Sequence, residues 1–438
     1  MAKPIGNEQR VRDGLQPDCY RRKWMPIITL GLSMKMPKGS KPRGAGGGSS
    51  SDESLLGLAS TLIGQGDTAQ GRRILSQVLT RHPGNRMAHL LLNHVFVKES
   101  DWAGMRQAVE RQADLRIPPA TVAWNRSLVS LRLGDMPEGW DQYEARWQLP
   151  GLVIPERNFQ QPRWQGQPFV GRTLLLHFEQ GLGDTLMFVR YAKQAKALGG
   201  RVLLAAQIPL ADLVATCPGV DEVIPHGAPL PPFDFHLPLL SLPAIFRTVL
   251  DSIPAEVPYL DVPTTVPNRK WIARTLAASE GQTRIGLVWA GSRTHKGDAQ
   301  RSILPSAFEA LGALPGVAWH SFQIDTVELP ALPGLISLDP MLRNLSSTAY
   351  ALSGMDLVIT VDTALAHLAG ALGVPTLLLL PFFPDWRWLL GREDSPWYPT
   401  LRLYRQSTPG DWPGVLRRVV ADLSIDPPPT TPDTGCPD

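Results

Sequence analysis

Residues 358–381 read VITVDTALAHLAGALGVPTLLLLP, two apolar runs separated by a short segment of helical periodicity. The first run ends at Asp362, which we expect to cap the following helix, and Gly373 and Pro375 end that helix before the second run. Strand, helix and strand in this order predict a parallel βαβ crossover. The helix of such a unit begins at the carboxyl edge of the sheet, where anionic ligands bind. The alternative is a buried crossover helix whose Asp serves only as a cap.

The composition is that of an ordinary globular protein, with 43% hydrophobic and 19% charged residues. The net charge is +3, but ten Lys and Arg against three Asp and Glu precede residue 52. The remainder is slightly acidic, which disfavours nucleic acid as a partner. The three cysteines lie far apart without metal or redox spacing, which fits a reducing compartment. No apolar run has the length of a membrane span, so we expect a cytoplasmic protein.

A repeat with a period of 34 residues organises the chain between residues 52 and 150. Gly66-Asp67 recurs as Ser100-Asp101 and as Gly134-Asp135, each between two amphipathic segments. This period predicts about three helix–turn–helix units of the tetratricopeptide kind. They are interpreted either as a concave surface for a partner or acceptor, or as a structural or dimerising cap.

The predicted fold class is α/β, with two Rossmann-like halves preceded by this short all-α repeat domain. Strand-like runs at residues 173–178 and 201–206 open the first half, and a run at residues 284–290 opens the second. Further strands are expected at residues 223–224, 233–237, 317–323 and 401–405, and helices at 185–197, 345–353 and 412–423. The predicted domains are a disordered basic, Gly/Ser-rich extension (1–51), helical repeats (52–150), a first half (151–262), a connector with a polar helix (263–282), a second half (283–424) and a disordered tail (425–438).

The turn after the first strand of the α/β part carries the sequence EQGLGDT at residues 179–185. A nicotinamide cofactor is disfavoured, because Leu186 replaces the third glycine of the dinucleotide motif and Gln207 replaces the acid after the second strand. The turn places the carboxylate of Asp184 at the carboxyl edge of the sheet, beside backbone amides. The alternative is that Asp184 only caps its helix. The candidate acceptor-side residues of this turn are Gln180, Gly181 and Gly183.

A second candidate loop, GSRTHKGDAQRS at residues 291–302, follows the strand that opens the second half. Its Gly-Ser turn lets the backbone approach a ligand, and its basic side chains suit a diphosphate. Because this loop and the helix after Asp362 share one sheet edge, we expect a two-part anion site rather than a solvated charged loop. No Walker A motif, Gly-x-Ser-x-Gly elbow or His-Glu-x-x-His motif is present, and no clustered carboxylates indicate a metal site. The candidate donor and phosphate ligands are Gly291, Ser292, His295, Lys296, Arg301, Asp362, Thr363 and His367.

Together with the sequences VWAG at residues 288–291, HK at 295–296, RSI at 301–303, VDTA at 361–364 and DWRW at 385–388, these features resemble a known family. Residues 52–423 are similar to bacterial tetratricopeptide-repeat glycosyltransferase-like proteins and, more broadly, to the heptosyltransferases of glycosyltransferase family 9. The resemblance implies a glycosyltransferase-B fold, with the acceptor on the first half and a nucleotide-sugar on the second. It implies Asp184 as base, Lys296 and Arg301 as diphosphate ligands, and Asp362, Thr363 and His367 as contacts of the donor sugar or phosphate.

The expected function is inverting, metal-independent transfer of a sugar from a nucleotide-diphosphate sugar to a protein or glycan hydroxyl, with no cofactor. Ala364 stands where heptosyltransferases commonly have glycine, which disfavours ADP-heptose as the donor. The alternatives are a non-catalytic repeat scaffold with a degenerate glycosyltransferase domain, and a different nucleotide-sugar enzyme such as an epimerase.

Overall fold

The computed structural model describes residues 50–115, 117–149, 157–293, 297–325 and 328–425. The disorder predicted for the extension 1–51 and for the tail 425–438 therefore falls almost wholly outside the described residues. His295 and Lys296 also lie outside them. No helix among the described residues is both long and apolar enough to cross a membrane.

Six helices occupy the predicted repeat region, in three pairs. The turn within each pair contains a residue with positive φ, and these residues are 34 positions apart: Gly66 (φ 95°), Ser100 (φ 53°) and Gly134 (φ 89°). The three turns therefore recur with the predicted spacing of 34 residues. The assignment of the helix pairs to the tetratricopeptide family stays a prediction. The helices are α1 (Ser50–Gln65), α2 (Thr68–Arg81), α3 (Arg86–Lys98), α4 (Trp102–Arg111), α5 (Pro119–Leu133) and α6 (Met136–Tyr143).

The chain divides into two compact units, and the division runs through the helical region. One unit contains the described residues up to Glu99, Ala108–Asn125 and residues 145–149. The side chains of Leu75, Val78 and Val95 are fully buried in this unit. The other contains Ser100–Gln107, Arg126–Glu144 and the chain from Arg157 onward. The end of α5 and all of α6 therefore belong to the same unit as the α/β part. The domain boundaries inferred from the sequence stay predictions.

The first half contains a four-stranded parallel sheet with the order β3-β2-β1-β4. Buried leucines fill the middle of β1, which makes it a central strand. The strands are β1 (Thr173–His177), β2 (Arg201–Ala206), β3 (Glu222–Pro225) and β4 (Phe235–Pro238). The helices are α7 (Leu182–Phe188), α8 (Ala192–Ala197), α9 (Ala211–Val214) and α10 (Leu242–Ile245). The helix predicted at residues 185–197 is thus two α-helices joined by a 3-10 turn at Val189–Tyr191.

The second half contains a six-stranded parallel sheet with the order β10-β9-β8-β5-β6-β7. Every residue of β8 and β9 is buried, as expected for strands covered on both faces. The strands are β5 (Thr283–Val288), β6 (Val317–Ser321), β7 (Ile336–Ser337), β8 (Leu357–Val361), β9 (Thr376–Leu380) and β10 (Leu401–Arg405). The helices are α11 (Arg269–Ala277), α12 (Asp298–Arg301), α13 (Leu345–Ser353), α14 (Ala364–Ala371) and α15 (Trp412–Ile425).

Each sheet has one point at which the strand order reverses. In the first sheet β1 lies between β2 and β4, and in the second β5 and β8 are neighbours although β6 and β7 intervene in sequence. Ligands of open parallel sheets bind beyond the carboxyl ends of the strands at such a switch point. The turn at residues 179–185 and the loops that follow β5 and β8 all lie at these positions.

The prediction that Asp362 caps α14 is wrong. The N-cap is Thr363, with φ −141° and ψ 174°, and its carbonyl accepts the hydrogen bond of the Ala366 amide at 3.1 Å. The carbonyl of Asp362 instead accepts a hydrogen bond from the Arg301 guanidinium at 2.7 Å. Asp362 therefore precedes the helix by one residue, and its carboxylate is available for other contacts.

Candidate active site

The site is organised by the close approach of α7 from the first sheet and α14 from the second. A Cβ atom added to Gly183 would lie 2.8 Å from Cδ2 of the His367 ring and 3.5 Å from Cα of Ala364. The first distance is shorter than side chains tolerate, so a glycine at position 183 is required for the amino ends of the two helices to meet. The two carboxyl edges thus face one another at the Gly183–Ala364 contact.

Asp184, the candidate base, lies in the first turn of α7 and is partly buried, with its side chain 16% exposed. Its Oδ2 accepts a hydrogen bond from the backbone amide of Gly181 at 2.9 Å, as the capping alternative predicts. Its Oδ1 is ion-paired with Nη2 of Arg387 from the second half. The carboxylate therefore does more than cap its helix, because its second oxygen faces the opposite sheet.

Arg387 is the functional candidate that the sequence analysis left without a role. Its guanidinium is 11% exposed, pairs with Asp184, and contacts Asp385 at 2.7 Å. Burial alone would lower the pKa of Arg387, but Asp385 and Asp184 outweigh that effect and hold its pKa above the usual value. The guanidinium also lies 4.3 Å from the ring centroid of Trp386. The DWRW sequence after β9 was the available signal, since it places an arginine between two aromatic rings at the carboxyl edge of the sheet.

Asp362 and Asp385 bring two carboxylates to the amino end of α14. Burial, and then the nearby charge of Asp385, raise the pKa of Asp362 to about 6. The pKa of Asp385 is lowered instead, because the attraction of Arg387 outweighs burial. Asp362 is thus the carboxyl group of this site that changes protonation closest to neutral pH.

The described part of the basic loop is hydrogen-bonded to the residue that precedes α14. The Arg301 guanidinium lies directly over Gly291, where any side chain would collide with it. It donates to the carbonyl of Asp362 at 2.7 Å and lies 3.5 Å from Asp298. The Gly291 amide donates to Oγ of Ser302 at 3.1 Å. Arg301 therefore fixes the loop against the entrance of α14, while Ser292 is exposed at the turn.

His367 and Thr363 occupy different environments on α14. His367 is 5% exposed, its Nδ1 lies 2.9 Å from the hydroxyl of Tyr398, and its ring stacks on Trp388 at a centroid distance of 5.3 Å. Burial, followed by Arg387, lowers the pKa of His367 to about 3, so the ring is neutral at physiological pH. The hydroxyl of Thr363 is buried and has no hydrogen-bond partner among the described residues.

The acceptor-side turn is held by side chains from two directions. Nε2 of Gln207 donates to the carbonyl of Gln180 at 3.0 Å, and its Oε1 accepts from the hydroxyl of Thr185 at 2.9 Å. Gln207 therefore braces the turn at the place where a dinucleotide-binding protein would have an acid. From the other side, Nε2 of Gln180 donates to the hydroxyl of Tyr143 at 3.2 Å.

The end of α5 and α6 also contact the segment that carries Arg387. Arg132 donates to the carbonyl of Pro384 at 3.0 Å, and Trp140 packs edge-on against Trp386 at a centroid distance of 5.3 Å. Tyr143 lies 6.0 Å from the same ring. These helical residues therefore support both the Gln180 turn and the Asp385–Arg387 segment. Sequence reasoning missed them because nothing in a helical repeat indicates which of its aromatic residues face another part of the chain.

Among the described residues, no group of three or more His, Cys, Asp and Glu side chains could hold a metal ion. The charged groups at the site instead pair with one another: Asp184 and Asp385 with Arg387, and Asp298 with Arg301.

A family model matches the stretch that forms β8, α14 and β9. Residues 340–380 match the model of glycosyltransferase family 9 (heptosyltransferase). The chain resembles glycosyltransferase family 9. It is also 30% identical over 334 residues to Protein FlbA of Caulobacter vibrioides, an alignment that covers 69% of this chain. The chain spans about half of that relative, 55% of its length.

Two solved structures of glycosyltransferase family 9 type are distantly similar. The family 9 glycosyl transferase from Veillonella parvula is 11% identical with a TM-score of 0.41, covering 61% of this chain and 92% of that one. The ADP-heptose lipopolysaccharide heptosyltransferase II of E. coli is 12% identical with a TM-score of 0.41, covering 57% and 99%.

Proposed function

We propose that this protein transfers a sugar from a nucleotide-diphosphate sugar to an acceptor hydroxyl. The single observation that carries the proposal is the meeting of the two switch points where Gly183 contacts His367 and Ala364. It brings a carboxylate from one sheet within ion-pair distance of a guanidinium from the other. Transfer of a glycosyl group needs this combination, with a proton acceptor on one side of the anomeric carbon and positive charge for the leaving diphosphate on the other.

The second half is proposed to hold the donor, as in the glycosyltransferase-B arrangement. The amino end of α14 is the positive end of its helix dipole, which favours a phosphate group. The unpartnered hydroxyl of Thr363 supports this assignment, because a phosphate or sugar oxygen would satisfy it. Lys296, carried over from the family resemblance, is proposed to bind the diphosphate. Arg301, which belongs to the described part of the same loop sequence, donates a hydrogen bond to the carbonyl of Asp362 just before α14.

Arg387 is proposed to exchange partners when the donor binds. In the structure its guanidinium pairs with both Asp184 and Asp385. A diphosphate carries more negative charge than one carboxylate and accepts bidentate hydrogen bonds from a guanidinium, so it competes for Arg387. Transfer of Arg387 to the diphosphate would free Oδ1 of Asp184. Donor binding would thereby activate the base.

In the proposed step the acceptor hydroxyl oxygen forms a bond to the anomeric carbon while the bond from that carbon to the diphosphate oxygen breaks. Asp184 positions the hydroxyl and takes its proton, and the leaving oxygen keeps the electron pair. Attack from the face opposite the leaving group inverts the anomeric configuration. The charge that develops on the diphosphate is balanced by Arg387, Lys296 and the amino end of α14, and the proposal includes no metal ion or cofactor.

Asp362 is proposed to contact the donor in its protonated form. An ionised Asp362 beside Asp385 would repel a diphosphate, whereas the protonated group donates a hydrogen bond to it. Because the pKa of Asp362 is raised to about 6, both forms are accessible near neutral pH. Ala364 lies at the entrance of α14, its Cα 3.5 Å from where a Cβ of Gly183 would stand. Its methyl group, at a position where heptosyltransferases commonly have glycine, is proposed to narrow the space beside the donor and to disfavour ADP-heptose. The proposed acceptor is a protein or a glycan, with the helical repeats as a surface that a partner binds.

The experiment is a thermal-shift screen of the full chain against nucleotide-sugars with different bases and sugars, followed by transfer and hydrolysis assays with each binder. Binding and turnover of one donor class, with inversion at the anomeric carbon seen by NMR, is the expected result. The second candidate function is a non-catalytic scaffold, which the internal pairing of Arg387 with both carboxylates favours. Repeat-dependent partner binding without donor binding or sugar release would support that candidate and overturn the proposal.

A further inference from the structure

A second cluster of polar groups lies at the first sheet, near the carboxyl end of β1 and beside β4. Arg157 places its guanidinium 4.8 Å from the centroid of the Phe178 ring, directly after β1. Its Nη2 is buried and has no hydrogen-bond partner, and no acidic side chain pairs with Arg157 among the described residues. Burial lowers the pKa of Arg157, but a guanidinium remains protonated at physiological pH. Among the residues that the structure describes, this partly buried cation therefore has no counter-charge.

Two histidines lie beside this cation. His177, the last residue of β1, is 4% exposed, and its ring stacks on that of His236 from β4 at a centroid distance of 5.5 Å. Nε2 of His177 lies 3.3 Å from Nδ1 of His236, while Nδ1 of His177 is buried and has no hydrogen-bond partner in the described part of the chain. Phe159 covers both rings at 5.7 and 4.9 Å. A nine-tenths buried imidazole nitrogen and a buried guanidinium nitrogen thus lack partners in the same cluster.

This arrangement is unfavourable for stability alone. An unpaired buried cation and an unsatisfied buried polar atom each destabilise the folded state, because each has lost its contact with water without gaining a partner. Burial, and then the charge of Arg157, lower the pKa of His177 well below its usual value, so the imidazole is neutral and cannot add to the positive charge. A neutral imidazole can still donate one N–H, and a guanidinium donates from two adjacent nitrogens. Both types of donor match the oxygens of a carboxylate or a phosphate.

We propose that Arg157, His177 and His236 form a binding subsite for an oxyanion, either a carboxylate or a phosphate, carried by a substrate. That this substrate is an acceptor or the transferred sugar rests on the proposed function. The subsite and the base share one structural element, because β1 ends at His177 and the turn that follows it leads to Asp184. An oxyanion bound beside β1 would orient the rest of the molecule along the same sheet edge toward the base.

The direct test uses inorganic phosphate and acetate as probes. Their binding to the full chain is followed through the imidazole NMR signals of His177 and His236, in the wild type, in Arg157→Gln and in Arg172→Gln. Arg172 is the matched control, because it also lies over a phenylalanine of this sheet, Phe235, at 5.5 Å, but at the amino end of β1. Arg157→Gln should weaken probe binding about tenfold, whereas Arg172→Gln should not change it. Equal affinities in all three proteins, or an adventitious ion only, with no saturable shift of either histidine, would overturn the proposal.

Thermal stability separates a binding role of Arg157 from a structural role. Removal of an unpaired cation should leave the Tm of Arg157→Gln unchanged or higher, whereas loss of a structural arginine lowers it. A Tm below that of Arg172→Gln by several degrees would contradict the subsite.

Transfer assays then identify the source of the oxyanion. If the acceptor carries it, methyl esterification of the acceptor lowers turnover in the wild type but not in Arg157→Gln. If the sugar carries it, only acidic donors respond to the substitution. Probe binding without any transfer would keep the subsite and reject the proposed function. Equal transfer rates in the wild type and in Arg157→Gln with every substrate would reject the role of Arg157 in substrate recognition.

Discussion

Replacement of Arg387 by methionine tests the network that joins the two halves. The substitution replaces the apolar part of the side chain by an unbranched chain of similar volume and removes the guanidinium that pairs with Asp184 and Asp385. Loss of one member of a buried ion-pair network costs about 3–5 kcal/mol, because the remaining charges stay buried without a partner. The side chain of Asp385 is 39% exposed, so solvent screens part of its charge. We therefore expect a loss of about 3 kcal/mol at pH 7.5, at the low end of that range.

The pH dependence of this loss has a definite sign. In the wild type, Arg387 outweighs burial and lowers the pKa of Asp385, so the stabilisation from this carboxylate is present above its unfolded pKa and is lost as the pH falls through its folded pKa. In Arg387→Met, Asp385 loses the cation that lowers its pKa most, and burial then disfavours its charged form more strongly. The variant should therefore be most destabilised at pH 7.5. The difference should be smaller at pH 4.5, where buried carboxylates of the variant begin to take up protons while the wild type still keeps the stabilisation from Asp385.

The assay is urea unfolding followed by tryptophan fluorescence at the two pH values. Arg392→Met is the control, because Arg392 pairs with Asp394 at the surface and should change the free energy of unfolding by less than about 1 kcal/mol. If Arg387→Met is as stable as the control at pH 7.5, or if its loss of stability does not depend on pH, the network does not hold the site together as described.

Three further substitutions test single parts of the site. Lys296→Ala should weaken nucleotide-sugar binding about tenfold in calorimetry, and undiminished affinity would count against the two-part anion site. Gly183→Ala should cost about 1–3 kcal/mol in urea unfolding, because its Cβ would lie 2.8 Å from the ring of His367, whereas Gly181→Ala, whose Cβ would lie 3.3 Å from Asp184, should cost less. Donor affinity of the wild type should fall as the pH rises through about 6, and Asp362→Asn should remove this dependence. The same variant should gain up to about 3 kcal/mol of stability at pH 8, because a protein with an acid of raised pKa loses stability as that acid ionises. A donor affinity that still depends on pH in Asp362→Asn would reject the assignment of Asp362 as a contact of the donor.

The secondary structure followed closely from local sequence. The strand predicted at residues 401–405 and the helix predicted at residues 345–353 have the observed bounds of β10 and α13. Apolar runs between Gly, Pro and Asn residues determine these elements locally, so a sequence pattern is sufficient to find them. The same local pattern misled at Asp362, which lies one residue before the N-cap Thr363 and whose carbonyl accepts a hydrogen bond from the distant Arg301.

The arrangement of the site was predicted only in part. Sequence placed Asp184 and the amino end of α14 at two sheet edges, because the carboxyl ends of parallel strands share an edge. It gave no role to Arg387, whose contact with Asp184 spans 203 residues of chain. It also did not connect Trp140 and Tyr143 of α6 to the site, since their partners lie on loops far away in sequence. Pairings of this kind depend on how the helices and strands pack against one another. The periodicity of the sequence does not predict this packing.

The most direct test of sugar transfer at this site compares Asp184→Asn with the wild type, measuring donor affinity and acceptor-dependent transfer on the same preparations. Asparagine keeps the shape of the side chain and its hydrogen bond from the Gly181 amide but cannot take the acceptor proton. The account predicts that transfer falls by about 10²–10⁴-fold while donor affinity is retained. Unchanged turnover in Asp184→Asn would contradict the account, because the carboxylate that faces Arg387 would then have no part in the reaction.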